Sequence, residues 1–320
     1  MRASQEDVER QRLFFLVGPT ASGKTAVGIE VALRIGAEIL SLDSMALYRG
    51  MDIGTAKPSV EERARVPHHL LDLAEPHEAF STGRYLEAAE AAIGDIAARG
   101  KLPLFVGGTA LYLKGLTEGF FHGPSADWEL RRRLIAEAQE RGVPALHERL
   151  AAVDPAAARR IHPNDLRRIV RALEVRAATG RPISELQTQF GTPSARYECV
   201  LAGIRRERAD LRERINRRVD AMFAAGLVDE VRRLLADPRG ISHAAGQFVG
   251  YREVIAHLRG ELSLEEAIER VKARTRQFAK RQLTWFRKFP QIRWVPAGPE
   301  STPAEIAEEV SRRFGLTGSA

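Results

Sequence analysis

The segment Gly18-Pro19-Thr20-Ala21-Ser22-Gly23-Lys24-Thr25 follows directly on the apolar run Leu13-Phe14-Phe15-Leu16-Val17 and precedes the helix-like stretch Ala26 to Arg34. No other feature constrains the fold as much. A buried strand, a glycine-permitted turn and a helix N-terminus aim several backbone N–H groups at one point. Lys24 adds a cation there, and the Thr25 hydroxyl can hold Mg²⁺. The order of these pieces predicts a loop for a di- or triphosphate. It leaves open whether the phosphate is transferred, hydrolysed or expelled as a leaving group.

The residues that follow alternate strand and helix signals as a parallel sheet demands: a helix from Lys24, a strand over Glu38 to Leu42, a helix over Thr82 to Arg99 and a strand over Leu102 to Val106. Gly36 and Gly100 sit where helices end, and Ser81 or Thr82 can cap the start of the later one. From Pro124 the pattern changes to helices separated by short Gly or Pro breaks: Asp127 to Arg141, Pro144 to Ala151, Pro155 to Ile161, Asn164 to Thr179 and Ser184 to Phe190. Strand character returns at Glu198 to Ile204. Helices follow over Arg208 to Ala225, Val228 to Leu235 and Arg252 to His257. A long helix opens at the capping box Ser263-Leu264-Glu265-Glu266 and runs to about Arg287. Ile292 to Val295 reads as a short edge strand and Pro303 to Phe314 as a terminal helix.

The expected fold is therefore α/β, a P-loop NTPase-like parallel sheet flanked by helices, with an inserted all-helical subdomain. The core takes residues 13–123 and 191–314, the insertion 124–190, with flexible ends at 1–12 and 315–320. Ligands of such sheets bind beyond the carboxyl ends of the strands, so Gly18 onward, Asp43 onward and Gly107-Gly108-Thr109 should converge on one crevice.

Composition excludes some classes. No stretch approaches eighteen continuous apolar residues, and residues 1–12 are polar and charged, which predicts neither a membrane span nor a signal peptide. Cys199 is the single cysteine, so no internal disulfide forms, and its apolar setting points to a buried structural thiol. Lysine and arginine total 49 against 42 acidic residues, a net charge of +7 that permits a polyanionic partner without requiring one. The local distribution says more. The insertion holds twelve arginines and no lysine, with Arg167, Arg168 and Arg171 on one helical side. The long C-terminal helix carries Lys272, Arg276 and Lys280 at i,i+4 spacing beside a row of Arg270 and Arg274. Like charges so spaced repel by about a few tenths of a kcal/mol per pair. A line of them is worth that cost mainly beside a polyanion, which points to nucleic acid. Trp285 and Phe286 read as core.

Asp43 ends a strand beside the phosphate loop, where it can support Mg²⁺ or act as a general base. Gly107-Gly108-Thr109 repeats the design, with glycines for close backbone approach and a hydroxyl directed at the crevice; a tight strand-to-helix turn explains the glycines equally well. The segments Asp52 to Pro58 and His68 to Asp72 concentrate polar and special-geometry residues beyond what scaffold requires. The adjacent histidines do not have zinc-motif spacing.

Assembled, these residues resemble the tRNA dimethylallyltransferase family in its compact bacterial form. The resemblance runs from about Phe14 to Trp294 and is carried by Gly18 to Thr25, Asp43-Ser44-Met45, Tyr48 to Pro58, Gly107-Gly108-Thr109, Pro124-Ser125-Ala126-Asp127, Gln247 to Arg252 and Thr275 to Arg287. It implies that the loop residues Gly18, Pro19, Thr20, Ala21, Ser22, Gly23, Lys24 and Thr25, with Arg218, bind the pyrophosphate of dimethylallyl diphosphate as a leaving group, with Mg²⁺ on Thr25. It implies Asp43 as the base toward the exocyclic amine of the adenosine 3′ of the anticodon, Lys24 as a charge stabiliser and Thr109 as a hydrogen-bonding partner near that amine. The tRNA anticodon stem-loop is expected on Asp43, Ser44, Met45, Ala46, Thr109, Arg131, Arg167, Arg168, Ile169, Val170, Arg171, Gln247, Phe248, Val249, Gly250, Tyr251 and Arg252. Many members carry glutamine where this chain has Ala46, a departure that leaves position 46 without a side chain to read a base. The family also implies a cytoplasmic monomer with no membrane partner. Three alternatives remain: an isopentenyltransferase for free adenine nucleotides, a phosphate-loop kinase or nucleotide switch, and a bare RNA-binding module.

Overall fold

The computed structural model describes residues 10–121, 123–188 and 196–316. In chain order its first elements are β1 (Arg12–Val17), α1 (Lys24–Ile35), β2 (Ala37–Leu42), α2 (Val60–Arg65), β3 (His68–His69), α3 (Thr82–Ala98), β4 (Leu102–Gly107) and α4 (Ala110–Glu118). A run of helices follows: α5 (Trp128–Arg141), α6 (Val143–Val153), α7 (Pro155–Arg160), α8 (Leu166–Thr179) and α9 (Ile183–Leu186). The chain closes with β5 (Glu198–Arg206), α10 (Arg208–Ala224), α11 (Leu227–Ala236), α12 (His243–Gly246), α13 (Tyr251–Leu258), α14 (Leu264–Phe286), β6 (Arg293–Ala297) and α15 (Pro303–Phe314). Two compact units result, Met1–Leu113 with Ala195–Ala320, and Lys114–Ser194.

The first unit is a parallel six-stranded sheet in the order β3-β2-β4-β1-β5-β6. Leu13 to Val17 of β1 are all buried, as a central strand covered on both faces requires. On one face α1 and α15 pack through Val27, Ile29, Ile306, Val310 and Phe314. On the other, Phe15 stacks on Phe105 and the buried Tyr85 of α3 donates its hydroxyl to the Ser41 carbonyl at 2.8 Å. Register does the functional work. Val17 and Leu42 both pair with Gly107, so Gly18, Asp43 and Gly108 emerge side by side at the carboxyl edge. Gly107 must lack a side chain, because a Cβ there would lie 2.2 Å from the Leu42 carbonyl oxygen.

Four elements escape the sequence pattern: α2, β3, α4 and α12. Of these β3 has two residues and no apolar run, and α2 is a single polar stretch held by the Ser59–Glu62 capping box. The helix expected over Ser184 to Phe190 is only the four-residue α9; positions 189 and 190 lie outside the described residues, as do most of the expected flexible ends.

The second unit is a helical cluster. Leu134, Leu146, Leu150, Ile169, Leu173 and Val175 form its core. Asp127, Asp154 and Asp165 cap α5, α7 and α8 by accepting backbone N–H groups of Leu130, Ala157 and Arg168. At its centre Glu174, fully buried, accepts from the Asp127 N–H at 2.8 Å, from Arg131 Nε at 2.7 Å and from Arg171.

Candidate active site

The phosphate loop is a turn closed by Ser22 N–H donating to the Pro19 carbonyl at 3.3 Å, with Gly23 at φ 93° leading into α1. Ala21 adopts φ 62°, a left-handed conformation that costs a non-glycine residue on the order of 1 kcal/mol and persists only where the surroundings hold it. They do so from outside. Arg214 Nε donates to the Ala21 carbonyl at 3.1 Å and Arg206 Nε to the Ser22 carbonyl at 2.9 Å. The Ala21 methyl is buried against Leu211, Ile215 and Ala279 of α10 and α14. The Thr20 N–H donates to Gln282 Oε1 at 2.8 Å.

Positive charge accumulates at this loop. Lys24 Nζ reaches the Pro19 carbonyl at 2.7 Å, and Arg218 Nη1 donates to the Thr20 hydroxyl at 3.3 Å. Arg206 is neutralised by Asp210 at 3.0 Å, but among the described residues no carboxylate forms an ion pair with Lys24 or Arg218. Burial, and then the Arg218 charge, push Lys24 down to about 7 against the opposing pull of Asp43. Burial likewise lowers Arg218, again opposed by Asp43. Groups whose charge is held down this way gain from a bound polyanion.

One cavity at the sheet edge is lined by Thr20, Lys24, Thr25, Asp43, Gly108 and Arg218 among others, so the three strand ends do converge. Asp43 Oδ1 accepts the Met45 N–H at 2.8 Å, and Thr109 Oγ1 accepts the Ser44 N–H at 3.0 Å while donating toward Ser44 Oγ at 3.4 Å. Thr109 thus steadies the turn that presents Asp43. Thr25 and Asp43 offer hard oxygen donors beside the loop, which suits Mg²⁺ arriving with a diphosphate. Among the described residues no group of three His, Cys, Asp or Glu side chains could chelate a metal unaided.

Two segments expected to exceed scaffold duty do both jobs: Gly54, Thr55, Ala56, Pro58 and His68 line the same cavity, while their neighbours are fixed as scaffold. The buried Lys57 Nζ is held by the Tyr48 carbonyl at 2.7 Å and by Asp52 and Asp72. Glu230 accepts from the N–H groups of Asp52 and Ile53 at 2.9 and 2.7 Å and of Gly54 at 3.2 Å. His69 Nε2 meets Glu38 at 2.6 Å, and His68 Nδ1 meets the Val66 carbonyl. Burial pushes the Cys199 thiol up to about 12, the state of an inert structural thiol.

The expected nucleic-acid contacts divide. Arg167, Arg168, Gln247 and Arg252 are exposed. Ile169 and Val170 are buried in the helical cluster and Tyr251 is buried too, so these side chains present no surface, whereas the buried Ala46 and Gly250 line the cavity at the sheet edge with Met45 and Val249. Arg131 and Arg171 are anchored on Glu174. The basic row of α14 also needs correction, since part of its charge is met within the protein while Lys280 stays exposed. Lys272 pairs with Asp220 and Glu269, Arg276 donates to Asn216 at 2.8 Å, and Arg274 pairs with Glu253 at 3.1 Å. Beside it a groove lined by Gln247, Arg252, Arg270, Gln277 and Arg281 keeps basic side chains in reach of solvent. Phe286 is core as expected, while Trp285 is only half-buried under Lys288. Sequence reasoning missed Gln282, Arg206 and Arg214 at the loop. The local signs were the i,i+4 spacing of Arg214 and Arg218 on α10 and, for Gln282, its place within the Thr275 to Arg287 segment.

A phosphate loop opening α1 of a parallel sheet, with a carboxylate at the neighbouring strand end, defines a P-loop α/β protein built to hold a phosphate group beside a reactive partner. Comparison with known proteins narrows that class. Residues 46–289 match the family model described as IPP transferase. The chain is 52% identical over 302 residues to the tRNA dimethylallyltransferase of Anaeromyxobacter dehalogenans, covering 94% of this chain and all of that one. The full-length tRNA isopentenylpyrophosphate transferase of Bacillus halodurans superposes with a TM-score of 0.71 at 40% identity over 96% of both chains. A eukaryotic dimethylallyltransferase acting on tRNA superposes with a TM-score of 0.79 at 28% identity, over 97% of this chain and 81% of that one. This chain belongs to the IPP transferase family. Membership sets aside the kinase and the bare RNA-binding module.

Proposed function

We propose that this chain transfers the dimethylallyl group of dimethylallyl diphosphate to the exocyclic N6 of the adenosine 3′ of the anticodon in tRNA, releasing pyrophosphate. The observation that carries the reading is the single cavity in which the phosphate loop, Lys24 and Arg218 face Asp43. A leaving-group cradle and a proton acceptor thus share one space.

The N6 lone pair is conjugated into adenine and is a poor nucleophile. As it forms the bond to the allylic C1, its proton passes to Asp43, and the C1–O bond breaks with its electron pair going to pyrophosphate. Lys24, Arg218 and the loop amides meet the negative charge that develops there. Thr25, with Asp43 close by, would hold Mg²⁺, which supplies further neutralisation of the departing diphosphate. Thr109 fixes the turn that aims Asp43. The adenine must leave its stack in the anticodon loop to enter the cavity, at a cost of about a few kcal/mol that a loop nucleotide reduces. Arg167 and Arg168 of the helical unit and Gln247 and Arg252 beside the basic groove are the exposed groups for the stem-loop backbone. The enzyme works as a monomer in the cytoplasm; among the described residues no helix is long and apolar enough to cross a membrane.

The test is prenyl transfer from labelled dimethylallyl diphosphate, with Mg²⁺, to an anticodon stem-loop carrying adenosine at that position, run beside free AMP. Label in the stem-loop alone is expected. Label in AMP would replace this reading with that of a free-nucleotide enzyme.

A further inference from the structure

Gln282 lies in the middle of the basic helix α14, 7% exposed, where an amide must find partners for both its ends. Its Oε1 accepts the Thr20 N–H of the phosphate loop at 2.8 Å, and its Nε2 donates to the Gly108 carbonyl at 3.1 Å. The Gly108 residue is built around this contact, since a Cβ there would lie 2.2 Å from Gln282 Nε2. On its other side the Gly108 N–H donates to the Leu42 carbonyl at 3.1 Å, and Leu42 immediately precedes Asp43. A continuous hydrogen-bonded path therefore runs from Thr20 through Gln282, Gly108 and Leu42 to the residue that carries Asp43. The amide is the path's side-chain link between the leaving-group loop and the β4 edge.

We propose that Gln282 is a positioning residue which sets the spacing between the diphosphate cradle and the Asp43 end of β2, and so the alignment of amine, allylic carbon and leaving oxygen. The proposal rests on the prenyl-transfer reading above. It assigns Gln282 no contact with either substrate. Displacement of reacting groups by about 1 Å costs on the order of 100-fold in rate, whereas binding of each substrate by its own contacts survives such a shift. Loss of the link therefore acts on kcat and leaves ground-state affinity in place. Methionine approximates the length of glutamine without its polar atoms, and asparagine is one methylene short of spanning both partners.

The experiment compares the full chain with Gln282→Met and Gln282→Asn in prenyl transfer to the stem-loop, and titrates inorganic pyrophosphate with Mg²⁺ into each protein. Expected are a fall in kcat of about 10- to 100-fold and a KM for dimethylallyl diphosphate within about threefold of the parent. Pyrophosphate affinity should hold within the same margin. Should the methionine variant fail to fold, the asparagine variant, which keeps a polar head, decides. A kcat within about twofold of the parent, or a loss of pyrophosphate affinity as large as the loss of rate, overturns the assignment. Failure of the parent chain itself to transfer a prenyl group overturns the reaction and this assignment together. An active parent with indifferent variants overturns only the latter.

Discussion

The buried Tyr251 hydroxyl donates to Glu230 Oε1 at 2.7 Å, inside a carboxylate that also accepts three consecutive backbone N–H groups from Asp52 to Gly54. Burial, and then the Glu230 charge, raise the tyrosine far above its ordinary range, so it stays a donor at any working pH. One side chain of α11 thereby holds a loop some 177 residues earlier and ties it to α13. Glu230→Ala would orphan four donors at once. The expected loss is on the order of 4 kcal/mol of stability, and Tyr251→Phe should cost about 1 kcal/mol, both read by denaturant melts. A Glu230→Ala protein as stable as the parent would remove the carboxylate from the scaffold.

These contacts mark where sequence reading stops. The phosphate loop, the strand–helix alternation and most helix ends were legible because each rests on a local pattern: apolar runs, a glycine turn, the capping box at Ser263. Asp43 was legible for the same reason, being the residue after an apolar strand. Glu230 and Gln282 were not, since their partners lie 177 and 262 residues away; Gln282 stands inside the Thr275 to Arg287 segment, but nothing there names the phosphate loop as its partner. The α14 row misled in the opposite direction. Helical periodicity correctly placed its cations on shared faces, but Asp220, Asn216 and Glu253, which meet them, belong to other helices.

Lys24→Ala tests the leaving-group cradle. Lys24 is buried at the loop with Arg218 beside it, and it has few alternatives to an anion as partner. Removing a preorganised charge from a developing oxyanion typically costs on the order of 100- to 1000-fold in rate. A drop in kcat/KM of that size is expected, with stem-loop affinity unchanged. Retained turnover would show that the loop amides and Arg218 suffice.

Asp43→Asn keeps the shape and the acceptor for the Met45 N–H but cannot take a proton at neutral pH. Loss of a general base costs about 100- to 10,000-fold. Single-turnover transfer should fall by that factor, while filter binding of the stem-loop stays close to the parent's. Lost binding together with near-normal transfer at saturating RNA would make Asp43 a recognition residue instead of a base.

The helical unit carries its own pH sensitivity. Burial works to raise the Glu174 carboxyl, but the hydrogen bonds from Arg131, Arg171 and the Asp127 N–H outweigh it and leave the group below its ordinary value of 4.5. A folded-state pKa below the unfolded one contributes stability that is complete above the unfolded value and is lost as pH falls through the folded one. Hydrogen exchange in α5 and α8 should therefore accelerate as pH drops below about 4.5, and Glu174→Gln should be destabilised at neutral pH and less sensitive to acid. An acid response identical in parent and variant would assign the transition to other carboxylates.

The surface reading is tested by salt. Two cations of the α14 row, Lys272 and Arg274, are matched internally, and the groove that keeps Arg252, Arg270 and Arg281 within reach, together with Arg167 and Arg168, is expected to supply the phosphate contacts. Each neutralised phosphate releases condensed counterions, and six such contacts lose about 1000-fold in affinity between about 50 and 200 mM salt. Five arginines should give a log–log slope of about −3.5 to −4.5 on a stem-loop, the single-strand coefficient setting the shallower end. Arg252→Ala and Arg281→Ala should each flatten the slope by about one contact and weaken binding to every sequence alike. Lys272→Ala should leave the slope unchanged, because its ammonium is already held by Asp220 and Glu269. A Lys272 variant that flattens the slope as much as the arginine variants would mean those ion pairs open when RNA binds, and would return the whole α14 row to the interface.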